Sequence, residues 1–130
     1  MSPVLLGNTF PLTLIRRPVR IEPRPLDELR QAVAAQGCVS FWGHTNTLQA
    51  AREMLGFDPT PTTERPALTL NGDLLPSLNG MVFDEVWVLS PTYQTGYRPK
   101  PDQATPPELI LNWQVLRVAF DCAHFTIPSP

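Results

Sequence analysis

The sequence predicts an α/β fold: a mixed five-stranded sheet with helices packed on it, formed by residues 1–130 as a single domain. Three observations carry that expectation. The chain has 130 residues, 42% of them hydrophobic, which suits one core. Short runs rich in Val, Leu, Phe and Trp alternate with two stretches whose apolar residues recur at helical spacing. Sixteen prolines, against a usual ~5% of residues, divide the chain into short elements and exclude a helical bundle.

Val4 to Phe10 reads as the first strand, stopped by Pro11, with Leu12 to Ile15 a short apolar piece behind it. Val19 to Glu22 is a second short strand. It sits within Arg16 to Arg24, a stretch of four arginines that suits an extended basic edge or a loop. Pro25 to Gln36 is the first helix: Leu26, Leu29 and Val33 form one stripe, Pro25 suits the first helical position, and Gly37 supplies the stop. Cys38 to Trp42 is apolar, and reads as extended or buried. Asn46 to Leu55 is the second helix, with Leu48, Ala51 and Leu55 on its apolar face. Thr45, Asn46 and Thr47 are each N-cap candidates, and Asn46 with Gln49 resembles a capping box.

Asp58 to Pro66 reads as a loop and Ala67 to Leu70 as a strand. Asn71-Gly72-Asp73 is a hairpin turn, and a second turn falls at Asn79-Gly80 within the broken strand Leu74 to Met81. Val82 to Leu89 is the strongest strand pattern. Ser90 to Pro107 is read as a long proline-rich loop carrying Tyr93, Tyr97 and Arg98. After a helical turn at Pro107 to Leu111, Trp113 to Phe120 is the last strand, followed by a frayed tail at Ile127 to Pro130.

Composition narrows the function. A net charge of −2 argues against a duplex nucleic-acid binder. No run reaches the ~18 apolar residues of a membrane span, and no charged and apolar leader is seen, so a cytoplasmic protein, in its host cell, is expected. The basic residues are nine arginines and Lys100, a bias that suits phosphate contact as well as an ordinary solvated surface. Cys38 and Cys122 are expected to be reduced.

The sharpest local feature is Gly43-His44-Thr45-Asn46-Thr47, directly before the second helix. A helix start presents unpaired N–H groups and the positive end of the dipole, a natural phosphate site. Thr45, Asn46 and Thr47 can donate to such a ligand or simply cap the helix. His44 is placed to give a proton to a leaving alkoxide near neutral pH. Cys38, His44, Cys122 and His124 are zinc-type ligands, but their spacings fit no structural zinc pattern, so no metal and no other cofactor is expected. No Walker loop, dinucleotide fingerprint or nucleophile elbow is present.

Several segments, taken in order, resemble one family. Leu6-Gly7-Asn8-Thr9-Phe10 resembles an opening Leu-Ala-Asn-Ala-Phe-Ser. Ser40 to Thr47 resembles Ser-x-Ile-Gly-His-x-x-Thr, followed by a helix ending Leu-Gly, here Leu55-Gly56. Glu64-Arg65 before Ala67 to Leu70 resembles an Asn-Arg pair leading into a strand. The family is the viral ring nucleases, the type III anti-CRISPR proteins. The resemblance implies a two-fold homodimer that binds cyclic tetra-adenylate and cleaves it without metal. It implies His44 as general acid and Arg65 as a phosphate contact. It makes Asn8 and Thr47 ligand-facing candidates; Thr9, Gly43, Thr45 and Asn46, their neighbours in the sequence, are further ligand-binding candidates.

The chain also departs from that pattern. Pro11 replaces a serine, and Thr92 and Thr95 stand where the family has an arginine and a glutamate; Arg98 is the nearest candidate to replace the arginine. Two readings follow. One is a ring-nuclease-like domain for a cyclic oligonucleotide. The other is a non-enzymatic interaction or ligand-sequestering protein of a phage or mobile element, which keeps the fold without the catalysis.

Overall fold

The computed structural model describes residues 3–43, 47–61, 68–100 and 103–120. The chain is an α/β fold whose five-stranded mixed sheet carries both helices on one face. In chain order the described elements are β1 (Val4–Gly7), β2 (Arg20–Pro23), α1 (Leu26–Gln36), β3 (Cys38–Ser40), α2 (Leu48–Leu55), β4 (Thr69–Leu70), β5 (Pro76–Leu78), β6 (Met81–Val82), β7 (Glu85–Tyr93) and β8 (Ile110–Ala119). The main sheet has the order β2-β8-β7-β1-β3. β1 runs parallel to both β3 and β7, while β7–β8 and β8–β2 are antiparallel. A second, antiparallel sheet has the order β4-β5-β6.

Strand alternation divides the interior into two cores. Val4 and Leu6 of β1, Trp87 and Leu89 of β7, and Val115 of β8 face the helices. There they meet Leu29 of α1 and Leu48, Ala51 and Leu55 of α2, with Leu26 and Val33 packed alongside. The apolar stripes read from the sequence are therefore the faces the helices bury. Leu5, Val86, Val88 and Val118 face the other way, onto Leu78 of the small sheet and Phe41, Phe83 and Phe120. Cys38 sits at the margin of the helix-side core, where burial pushes its thiol pKa up to about 11.

Several expected boundaries move. The first strand ends at Gly7, and a 3-10 turn at Leu12–Leu14 follows Pro11. Pro25 is the N-cap of α1, not its first helical residue. The strong apolar run at Val82 to Leu89 is split: Val82 closes the small sheet and Glu85 opens β7.

The largest correction is at Ser90–Tyr93, which is strand where a loop was expected. β8 begins at Ile110, and its residues pair with β7 as far as Tyr93, with a bulge between Thr92 and Tyr93. Pro91 fits because of the alternation. Val115 turns its carbonyl toward the β2 side, where it accepts the Arg24 N–H at 2.9 Å. Trp113, two residues away, faces the same way, so the Pro91–Trp113 pair makes no ladder bonds. The proline's missing N–H points to the side where β1 has already ended.

Other expectations hold. Asn71 Oδ1 accepts the N–H groups of Asp73 and Leu75, closing the turn, and Leu74 takes a left-handed conformation there. Asn79 and Gly80 both have positive φ, as a tight hairpin needs. β2 is an edge strand, so Arg20–Pro23 takes the edge and not the loop alternative left open for that arginine-rich stretch. Glu22 bonds Arg20 and Arg117, and Arg24 bonds Glu28 through both carboxylate oxygens.

Candidate functional site

The parallel part of the sheet places the two resembling segments side by side. β1 lies between β3 and β7, and all three run in the same direction, so their carboxyl ends share one edge. In open α/β sheets, ligands bind outside the carboxyl ends of the strands where neighbouring connections diverge. Asn8 and Thr9 follow β1 at that edge, and Gly43 follows β3.

A side chain ties these ends together. The Gly43 N–H donates to Asn8 Oδ1 at 3.0 Å. Asn8 is nearly buried, at 9% exposure, and its Nδ2 makes no hydrogen bond to the described residues. Its backbone carbonyl accepts the Ser90 hydroxyl at 3.0 Å, which fixes the end of β1 against β7. Gly43 and Thr9 are exposed beside it.

Thr47 closes the other side. It is 3% exposed and precedes α2 as its N-cap residue, yet its side chain makes no capping bond. Its hydroxyl oxygen instead accepts the Trp42 indole N–H at 3.2 Å. Of the three cap candidates, the structure assigns Thr47 the position but not the side-chain bond; Asn46, with its capping-box pairing to Gln49, lies outside the described residues. So do His44, Thr45 and Arg65, and the zinc-type residues Cys122 and His124.

The structure thus brings Asn8, Gly43 and Thr47 to the carboxyl edge of β1 and β3, at the positive end of α2. Two residues of this edge were not read from the sequence. Trp42 carried a signal, because it ends the apolar run from Cys38, and a buried indole N–H needs an acceptor. Ser90 carried none, because it looked like the start of a loop.

The positions that depart from the family pattern have structural partners of their own. The Thr92 hydroxyl donates to the Asn112 carbonyl at 3.2 Å, across the β7–β8 ribbon. Pro11 opens the 3-10 turn, its carbonyl accepting the Leu14 N–H at 3.0 Å. Arg98 is exposed and makes no ion pair among the described residues. A separate groove of 380 Å³ lies along β8 beyond the end of β2, against Arg24, Pro91 and Trp113.

No family model matches the sequence, and no curated protein matches it. Among solved structures, the fold is similar to that of B116 of Sulfolobus turreted icosahedral virus, with a TM-score of 0.56 at 12% identity. The match covers 91% of this chain and 99% of the viral one. A likeness at that identity establishes the fold. No helix among the described residues is long and apolar enough to cross a membrane.

Proposed function

We propose that this chain is a ring-nuclease-like domain that binds a cyclic oligoadenylate second messenger, by resemblance cyclic tetra-adenylate, and so dampens type III CRISPR signalling. The observation that carries the reading is the Asn8–Gly43 hydrogen bond. It joins the two segments that resemble the family at the sheet edge where α/β folds take their ligands. The likeness in fold to a virus protein supports an origin in a phage or mobile element.

The chemistry follows from the residue types. A ribose 2′-hydroxyl of the ligand gives up its proton to water as its oxygen attacks the adjacent phosphorus in line. The bond to the 5′-oxygen breaks, leaving a cyclic phosphate and a free 5′-hydroxyl. His44 supplies the proton to that leaving oxygen, and Arg65 and the start of α2 hold phosphate. Asn8 offers Nδ2 as a further donor.

Turnover is expected to be slow at best. Thr92 stands in place of the family arginine, and its hydroxyl is committed to Asn112 within the ribbon. That contact favours a second reading, in which the protein sequesters its ligand without cleaving it. A ring of four identical nucleotides has its own two-fold axis, so two copies of the chain would present matched contacts to it.

The deciding experiment is a binding screen against cyclic di-, tri-, tetra- and hexa-adenylate, with light scattering on the free protein. Saturable binding to one ring size by a dimer is expected. No binding to any ring at high micromolar ligand would overturn the reading and leave the interaction protein in its place.

A further inference from the structure

We propose that Trp42 is a positioning residue for ligand binding, acting through the Thr47 hydroxyl. The proposal rests on the reading above, that this edge binds a phosphodiester ligand, and names a residue that the resemblance does not supply.

The end of β3 is anchored on both faces of the sheet. The last paired residue is Ser40, and the two that follow are aromatic and buried. Phe41 keeps the parallel ladder going, its N–H donating to the Leu6 carbonyl at 2.9 Å. Successive extended residues point to opposite sides. The Phe41 ring enters the core beneath the small sheet, and the Trp42 ring enters the core beneath the helices. The Trp42 backbone N–H is held by Ser40 Oγ at 3.1 Å. An indole fixed by its ring and its backbone has little freedom left, so its N–H points in a set direction.

That direction ends on Thr47 Oγ at 3.2 Å. A threonine just before a helix ordinarily turns its oxygen to the amides of the first turn. Here it makes no such bond. The indole holds the oxygen away from the helix start, and the hydroxyl is oriented by the core instead of by its own helix. Two side-chain bonds, Trp42 to Thr47 and Asn8 to Gly43, therefore fix the end of β3 against the start of α2 and the end of β1.

The test combines Trp42→Phe, Thr47→Val and the double variant. Trp42→Phe keeps an aromatic ring and deletes the N–H, while Thr47→Val keeps the shape and deletes the acceptor. The first readout needs no ligand: the three indole N–H signals of Trp42, Trp87 and Trp113 in a proton–nitrogen spectrum. Thr47→Val should shift the Trp42 signal and speed its solvent exchange about tenfold or more, as loss of a buried acceptor implies. The other two signals should stay in place.

The second readout is affinity for cyclic tetra-adenylate. Each single variant should bind about tenfold more weakly, and the double variant no more weakly than Thr47→Val alone, because residues that act through one another are not additive. An unchanged Trp42 signal in Thr47→Val overturns the proposal. So does wild-type affinity in the single variants, or purely additive losses in the double variant. A wild-type protein that binds no cyclic oligoadenylate overturns the functional reading, and the positioning role falls with it. Binding by wild type with unchanged affinity in the variants overturns the positioning role alone.

Discussion

Asn8 and Gly43, 35 positions apart, are joined by a single hydrogen bond from the Gly43 amide to the Asn8 side-chain oxygen. The bond links the loops after two parallel strands, and one end of it is nearly buried. Asn8→Ala should lower the unfolding free energy by about 0.5–1.5 kcal/mol, the usual net worth of such a bond, because water can reach the exposed Gly43 amide. Urea unfolding measures that. Affinity for a cyclic oligoadenylate should fall as well, since the free Nδ2 donors go with the side chain.

Gly7 and Phe41 form a second pair. A Cβ at Gly7 would lie 2.3 to 2.7 Å from three carbons of the Phe41 ring, far inside contact distance. The ring is not free to retreat, because Phe10 packs edge-on against it at 6.4 Å and against Phe120 at 5.7 Å. Gly7→Ala should therefore destabilise by about 1–3 kcal/mol, as overpacking does. Adding Phe41→Leu should recover part of the loss. Equal stability of Gly7→Ala and wild type by thermal unfolding would show that the ring can move.

The proposed chemistry separates His44 from Arg65. If the protein cleaves its ligand, His44→Ala should slow single-turnover cleavage by about 10²–10⁴-fold and leave the dissociation constant nearly unchanged. Arg65→Ala should instead weaken binding by about 1.5–3 kcal/mol, the worth of a charge-assisted contact to phosphate. Chelator should alter neither the cleavage rate nor the affinity, because no step in this scheme uses a metal.

Acid should weaken the fold through the β2 edge. Hydrogen bonds from Arg117 and then Arg20 hold the Glu22 carboxyl below its ordinary value of 4.5, and Arg24 does the same for Glu28. A carboxyl whose folded pKa is depressed contributes stability that is fully present above 4.5 and is lost as the pH falls through its lower folded value. The melting temperature should hold from pH 7 to pH 5 and drop below about pH 4.5. Glu28→Gln should lower it at pH 7 and flatten the acid slope. These groups face solvent, so the effect of each is small.

Local elements and the faces they bury were legible from residue order alone. The Leu26, Leu29 and Val33 stripe, the Leu48, Ala51 and Leu55 stripe and the Asn79-Gly80 turn all follow from periodicity and backbone conformation, which act over a few residues. Residue order also placed Asn8 and Gly43 as candidates, each in its own segment. That the two meet is a matter of long-range packing, because β1 and β3 lie side by side through a crossover that no local pattern encodes. Long-range packing likewise makes Ser90–Tyr93 strand. Pro91 and Thr92 read as loop residues on their own. They became strand because β8 supplies partners across the ribbon and the proline's missing donor points where no partner is needed. Thr47 follows the same logic: next to a helix it reads as a cap, and the buried Trp42 indole beside it gives its hydroxyl oxygen another use.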